Sequence, residues 1–126
     1  MTAKFALYGQ SKLANVIYAL ELSKHYPKIT TAAIHPGVIY TGLIDHMGIL
    51  EKILIKVVSS TLKHLNLQEG AYNTLWAATS ADKSALKSGG VYEPVGKPVS
   101  PTKQSADKAL AEELWNWTEK ELASYS

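Results

Sequence analysis

The chain has 126 residues, of which 46% are hydrophobic and 19% are charged, and these values are typical of one globular domain rather than a disordered or collagen-like chain. It contains no Cys, which excludes a disulfide framework, a thiolate metal site and a Cys nucleophile, and its four His are too scattered to predict a metal site. The net charge is +2 and all 13 basic residues are Lys. Since Arg supplies the planar fork that best recognises phosphate and guanine, this composition argues against nucleic-acid binding.

The sequence shows no export signal and no transmembrane segment. The first apolar run, residues 5–7, is interrupted by Tyr8 and the polar residues after it, so no signal-peptide core forms. The most apolar stretch, residues 49–58, contains Glu51 and Lys56 and is much shorter than the roughly 20 residues that span a bilayer. We therefore expect a cytoplasmic protein.

The first elements in the chain are a helix and a strand. Apolar residues recur at helical spacing through residues 5–26, and Pro27 ends the helix. Residues 29–35 (ITTAAIH) are rich in β-branched side chains, which is typical of a buried strand, and the Pro36–Gly37 dipeptide ends it. A helix, a buried strand and a turn in this order make up half of an α/β layer unit.

The middle of the chain is predicted to be helical. Residues 42–65 carry a broad Ile, Leu and Val stripe, which indicates one or two helices broken near residues 59–60. Asn66 and Glu69 have the spacing of a capping box and open another helix, which carries Trp76.

A second strand and a last helix follow. Residues 88–90 form a turn before a strand at 91–95, and the Pro-rich loop after that strand is predicted to be stiff and non-helical. Ser105 is the predicted N-cap of the last helix. The residues expected to share one face of that helix are Leu110, Leu114, Trp117 and Leu122. Trp76, Trp115 and Trp117 are interpreted as core or interface aromatics.

The predicted inventory is two strands and about four or five helices. Two strands buried on both faces do not make an independently stable sheet, so part of the sheet is missing from this count.

Tyr8 and Lys12 are the residues with the clearest chemical potential. They lie four positions apart on the first predicted helix, so their side chains share one face and can reach a common atom. A phenol beside an ammonium group suits proton transfer. By itself the spacing is weak, because seven Tyr and 13 Lys produce such a pair by chance, and a solvated helix face is the default interpretation.

The surrounding residues give the pair a context. The run YGQSKLAN at residues 8–15, the strand ITTAAIH and the segment PGVIYT at residues 36–41 occur in an order that closely resembles the C-terminal half of short-chain dehydrogenases/reductases. The residues of the first run are similar to those of the retinol-dehydrogenase-type branch. The resemblance implies an α/β fold, namely the C-terminal portion of a Rossmann-type doubly wound parallel sheet. It also implies an NAD(P)-dependent oxidoreductase that interconverts alcohols and carbonyls by hydride transfer.

The resemblance also assigns roles to residues. It makes Tyr8 the general acid/base, while Lys12 holds the nicotinamide ribose and favours the phenolate. In the family a Pro-Gly-x-x-x-Thr segment runs beneath the nicotinamide, and a glycine is expected where backbone approaches the ring closely. The residues of this chain that match that segment are Pro36, Gly37, Ile39 and Thr41. His35, before it, is interpreted as a packed or hydrogen-bonded residue.

Three family motifs are absent from the sequence: the TGxxxGxG loop, the Asn-Ala-Gly turn and the catalytic Ser that precede the Tyr motif. We therefore expect residues 1–126 to be the C-terminal part of one dehydrogenase domain, a truncated chain without its dinucleotide-binding half, in which residues 42–66 form the substrate lid. The residue that selects NAD or NADP would lie upstream, so the two cofactors are not distinguished.

The apolar lid region suggests a small lipophilic alcohol or carbonyl substrate. An alternative is that the chain is a catalytically inactive interaction module that forms homo-oligomers through its first helix. A third and weaker interpretation places an interfacial helix at residues 49–65 on a membrane surface. Because much of the sheet is missing, the isolated chain is expected to be aggregation-prone, partly molten or dimeric, and inactive.

Overall fold

The structure is a computed structural model, and it describes residues 3–39, 48–49, 52–53, 64–80 and 84–125. In chain order these residues form α1 (Ala3–His25), β1 (Ala32–Ile34), β2 (Val38–Ile39), β3 (His64–Leu65), α2 (Leu67–Thr79), β4 (Gly90–Glu93), β5 (Lys97–Val99) and α3 (Lys108–Leu122), followed by a 3-10 turn at Ala123–Tyr125. Most of the predicted lid, residues 42–66, lies outside the described residues, and so does Thr41.

Two small sheets organise these elements. The first has the order β1-β4-β5, with β4 parallel to β1 and antiparallel to β5. The second pairs β2 with β3 in parallel. Helix α1 packs on β1, β4 and α3, whereas α2 packs on β1, β2 and β3. The predicted α/β fold class is confirmed.

Helix α1 is confirmed almost to its predicted ends. Its buried residues, Ile17 and Glu21, are four positions apart and face the rest of the molecule. Lys24 and His25 lie in its last turn, where they pair with the Glu21 carboxylate and complement the negative end of the helix dipole. Pro27 follows and prevents the helix from continuing.

The strand predicted at residues 29–35 is shorter than expected. Its ladder covers only Ala32–Ile34, and Ile29 is 57% exposed in a turn after α1. The Thr31 hydroxyl donates to the carbonyl of Ala19, so the start of the strand is fastened to the middle of the helix.

Three strands, β2, β3 and β5, were not predicted. His64–Leu65 pairs with Val38–Ile39, so the end of the apolar stripe is strand and not helix. Lys97–Val99 pairs with β4 although Pro98 lies at its centre. Pro98 is tolerated because β5 is an edge strand and because the carbonyl of its partner, Tyr92, faces β1 on the other side.

The capping box of α2 is confirmed, but the predicted start of α3 is wrong. Asn66 Oδ1 accepts from the Glu69 amide, and the Glu69 carboxylate accepts from the Asn66 amide. Asp107, not Ser105, is the N-cap of α3. Ser105 is buried instead and exchanges hydrogen bonds with Thr102 in the preceding loop.

The apolar face predicted for α3 is not the face that is buried among the described residues, although Trp115 was among the predicted core or interface aromatics. Ala111 and Trp115 are the buried residues of this helix, whereas Trp117 is 59% exposed and Leu110 is 39% exposed. The Trp115 ring stacks on the ring of His25, with centroids 4.0 Å apart, and on the ring of Tyr18 at 5.4 Å. This aromatic stack joins α3 to α1.

Among the described residues, no helix has the length and apolar content needed to cross a bilayer.

Candidate active site

Tyr8 and Lys12 lie one turn apart in the N-terminal half of α1. The Lys12 Nζ lies 5.4 Å from the centroid of the Tyr8 ring, so the two side chains share one face as the spacing predicted. Tyr8 is 59% exposed and Lys12 is exposed. Among the described residues no carboxylate lies within ion-pair distance of Lys12. The Tyr8 phenol and the Lys12 ammonium group are therefore both accessible to solvent on one face of α1.

Contacts in the C-terminal half of α1 show how this helix is positioned along the strands of the sheet. The hydroxyl of Thr31, the residue before β1, donates a hydrogen bond to the Ala19 carbonyl. Gly89, the residue before β4, lies against Ser23. The C-terminal half of α1 therefore packs at the amino ends of the two parallel strands, and the helix runs in the opposite direction to them. The N-terminal half then extends towards their carboxyl ends.

The rise per residue of a helix and of a strand gives the distance of each residue from the contact between Ala19 and Thr31. From Ala19, Lys12 and Tyr8 lie seven and eleven residues back, which is about 10 and 16 Å along a helix. From Thr31, His35 lies four residues on, about 13 Å along a strand. The rise from this contact to Lys12 and the rise from it to His35 are therefore similar in length. No hydrogen bond or ion pair joins the Tyr8 or Lys12 side chain to residues 36–39 in the part of the chain that the structure describes.

The turn after β1 is held by backbone and side-chain hydrogen bonds. The His35 amide donates to the Tyr92 carbonyl at 2.9 Å, and the Gly37 amide donates to His35 Nδ1 at 3.0 Å. The interpretation of His35 as a hydrogen-bonded residue agrees with this geometry. Pro36 is exposed.

Gly37 is required by the fold itself. Its φ is 89°, a conformation that L side chains rarely adopt, and a Cβ placed there would lie 2.6 Å from Leu65 Cδ1. The family resemblance implied a glycine here because of a close approach to a nicotinamide ring. The structure supplies a reason within the chain, because Leu65 on β3 fills the space.

Ile39 lies in β2 and faces α2. It pairs with Leu65, and its side chain fills the place where Gly70 would carry a Cβ. The absence of a side chain at Gly70 therefore lets α2 approach β2 closely. Of the predicted cofactor segment, Pro36 and Gly37 lie in the turn after β1, and Ile39 lies in β2.

Asn73 is a site residue that the sequence analysis missed. It lies on α2, is 0% exposed and bonds through its amide to three segments. Its Nδ2 donates to the carbonyls of His35 at 2.8 Å and Tyr92 at 3.0 Å, and its Oδ1 accepts from the Gly96 amide at 2.9 Å. One Asn in the middle of a helix carries no local motif that could have predicted these distant partners.

Comparison with known proteins places this geometry in a family context. The chain is 34% identical over 94% of its length to the short-chain dehydrogenase/reductase drtF of Aspergillus calidoustus. Over most of its length, the chain is homologous to short-chain dehydrogenases/reductases. It is also 33% identical over 88% of its length to the chloroplastic short-chain dehydrogenase TIC 32 B of Brassica napus, and 34% identical over 92% to an uncharacterized oxidoreductase of Schizosaccharomyces pombe. No protein-family model matches the chain.

The homology covers only part of these relatives. The chain spans 40% of the Aspergillus protein and 35% of each of the other two. Their family and the parallel pairing of β1 with β4 confirm the predicted fold class, a portion of a Rossmann-type α/β sheet. The retinol-dehydrogenase-type branch stays a prediction.

The described residues fit the nicotinamide end of a dinucleotide in their chemistry. Tyr8 and Lys12 offer a hydroxyl and an ammonium group, which suit ribose hydroxyls and a reacting oxygen. The 126 residues contain no TGxxxGxG loop for the pyrophosphate. Within the described residues no group of three His, Asp or Glu is arranged to hold a metal ion.

Proposed function

We propose that this chain carries the acid/base half of an NAD(P)-dependent short-chain dehydrogenase/reductase that interconverts an alcohol and a carbonyl. The observation that supports this most directly is the shared face of Tyr8 and Lys12 on α1, in a chain that is homologous to such enzymes over 94% of its length. Both side chains are exposed.

In this proposal, Tyr8 moves the proton at the substrate oxygen. As a phenol it donates a proton to the oxygen when a carbonyl is reduced, and as a phenolate it accepts the hydroxyl proton when an alcohol is oxidised. The Lys12 ammonium group donates hydrogen bonds to the ribose hydroxyls and places a positive charge beside the reacting oxygens, so that one cation serves both rate and binding. When bound, the nicotinamide supplies or accepts the hydride. Pro36, Gly37 and Ile39 line its position with backbone, and Thr41 is proposed to bond its carboxamide.

The test is Tyr8→Phe in the full protein that carries this segment, with the 126-residue chain assayed in parallel. The change removes only the transferable proton, so we expect turnover to be abolished while NAD(P)H still binds. Lys12→Ala should damage both kcat and cofactor affinity. Tyr125→Phe, at an 87% exposed position, is the matched control and should change neither. A Tyr8→Phe enzyme that kept a tenth or more of the wild-type kcat would contradict the assignment of Tyr8 as the general acid/base.

We propose further that the substrate is lipophilic, because residues 42–65 are rich in Ile, Leu and Val. Substituting Leu50→Asp or Leu54→Asp should raise KM for long-chain substrates more than for short ones. Equal changes for both chain lengths would argue against a substrate-facing lid.

A second candidate function is subunit pairing through α1. Leu7 is 65% exposed beside Tyr8, which gives the N-terminal half of this helix an uncovered apolar side chain. Leu7→Glu should then shift sedimentation from dimer to monomer, whereas Lys4→Glu should not. Catalysis and pairing are separated by dinucleotide titration, because an interaction module has no reason to bind NAD(P)H.

A further inference from the structure

Asn73 is the side chain of α2 that no catalytic motif accounts for. It is completely buried, and the three hydrogen bonds of its amide are all to backbone atoms. Burying a primary amide is costly unless its donors and acceptor are paired, so a fully paired amide here joins its partners tightly.

The three partners come from segments that are far apart in sequence but meet at one edge. His35 directly precedes the Pro36–Gly37 turn, Tyr92 ends the ladder of β4 with β1, and Gly96 lies in the turn between β4 and β5. All three lie at the carboxyl ends of the parallel strands β1 and β4. In open α/β sheets this is the edge where ligands bind.

The neighbouring contacts show that this edge is assembled around α2. Trp76 lies one turn after Asn73 on the helix, and its ring centroid is 5.1 Å from that of Tyr92. A Cβ on Gly96, whose φ is 68°, would lie 2.7 Å from the Trp76 ring. Asn73 and Trp76 together therefore hold the β4–β5 turn against the turn after β1.

We propose that Asn73 is a positioning residue for the cofactor: its amide fixes the His35 carbonyl and thereby the Pro36–Gly37 backbone on which the nicotinamide rests. This inference rests on the proposed function. It assigns to α2 a role in cofactor binding although no residue of α2 is expected to touch the cofactor.

A primary amide fits this set of partners. Two carbonyls require a side chain that donates twice, and the Gly96 amide requires an acceptor on the same group. Asp has the same shape but, when ionised, places an oxygen against both carbonyls. Ser is too short to reach three segments at once. Asn73→Asp is therefore the variant that changes the hydrogen bonds with the least change in volume.

The experiment compares Asn73→Asp and Asn73→Ala with Ser105→Ala in the full protein. Ser105 is the matched control, because it is also a buried polar residue with satisfied hydrogen bonds, but it lies in the loop before α3. We expect both Asn73 variants to raise the Kd for NAD(P)H and the cofactor KM at least tenfold, with a smaller loss of kcat at saturating cofactor. Ser105→Ala should stay within twofold of wild type. Cofactor constants within twofold of wild type in a folded Asn73 variant would overturn the proposal, as would an equal effect of Ser105→Ala.

A wild-type measurement keeps the proposal testable if the variants do not fold. In an NMR titration with NAD(P)H, the side-chain amide of Asn73 and the backbone amides of Gly37 and Gly96 should shift together. Shifts elsewhere with none at these three groups would overturn the proposal.

If the wild-type protein binds no dinucleotide, the proposed function fails, and the cofactor role of Asn73 fails with it. Hydrogen exchange distinguishes this case, because the Gly37 and Gly96 amides should still exchange faster in Asn73→Asp than in wild type. Unchanged exchange at both amides would show that Asn73 does not position the turn at all.

Discussion

Replacing Trp115 by Ala should be among the most destabilising single changes in the chain. Trp115 is 8% exposed, and its ring stacks between His25 and Tyr18 of α1. A buried aromatic side chain removes about 150–250 Å² from water, which corresponds to about 4–6 kcal/mol at 25 cal/mol per Å². Because the unfolded chain already buries part of this area, we expect a loss of about 3–5 kcal/mol in the free energy of unfolding.

Trp117→Ala is the matched control, since the same side chain is removed from the same helix. Trp117 is 59% exposed, so less than half of its area is removed from water on folding, and the expected cost of removing the side chain is at most about 2.5 kcal/mol. Both changes place Ala inside α3, so the gain in helix propensity cancels in the comparison.

The assay is urea unfolding of the full protein that carries this segment, followed by far-UV circular dichroism, because the substitution removes a fluorophore. If Trp115→Ala leaves too little folded protein to measure, Trp115→Phe keeps a stacking ring and should cost about 1–2 kcal/mol. Equal losses for the Trp115 and Trp117 variants would refute the placement of α3 on α1. They would instead favour the face predicted from the sequence.

Other changes test the turns and helix ends by thermal unfolding of the same full protein. Gly37→Ala should destabilise by about 1–3 kcal/mol, because the new methyl group meets Leu65 at a positive φ. Gly9→Ala should instead stabilise by about 0.5–1 kcal/mol, since it lies in α1 with nothing within 4 Å of a Cβ. Asp107→Ala should cost about 1 kcal/mol by leaving the amides at the start of α3 without their acceptor, and a neutral result would contradict the observed N-cap.

Elements defined by local signals were predictable from the sequence. Asn66 and Glu69 form a capping box from residues three apart, and α1 has both its apolar period and its terminating Pro27 within one segment. Tyr8 and Lys12 were predictable for the same reason, because helical spacing alone brings them together.

Elements that depend on distant partners were not predictable. Pro98 argues against a strand when only its neighbours are considered, and its strand exists because β4 lies beside it. Ser105 and Asp107 are both good N-caps by residue type, and the burial of Ser105 against Thr102 decides between them. The three partners of Asn73 lie 19 to 38 residues away, so no window along the chain contains them all.

Few hydrophobic side chains of the described residues are buried, which bears on the stability of the chain on its own. Among the described residues only four hydrophobic residues are buried, namely Ile17, Tyr92, Ala111 and Trp115. Fifteen large hydrophobic side chains of the same described part are exposed, including Leu67 at 71% and Ile29 at 57%. A folded domain is stable by only about 5–15 kcal/mol, so a core of this size leaves a small margin and the exposed apolar surface favours association.

We therefore expect the purified 126-residue chain to bind hydrophobic dyes, to sediment as dimers or larger species, and to unfold without a sharp transition. A mild detergent below its critical micelle concentration should bind the exposed apolar surface and reduce the association. Added salt should not reduce it, because the interaction is apolar. A monodisperse monomer with a cooperative thermal transition would contradict this reasoning. It would mean that the few buried contacts around Trp115 and Asn73 suffice to hold the chain in one state.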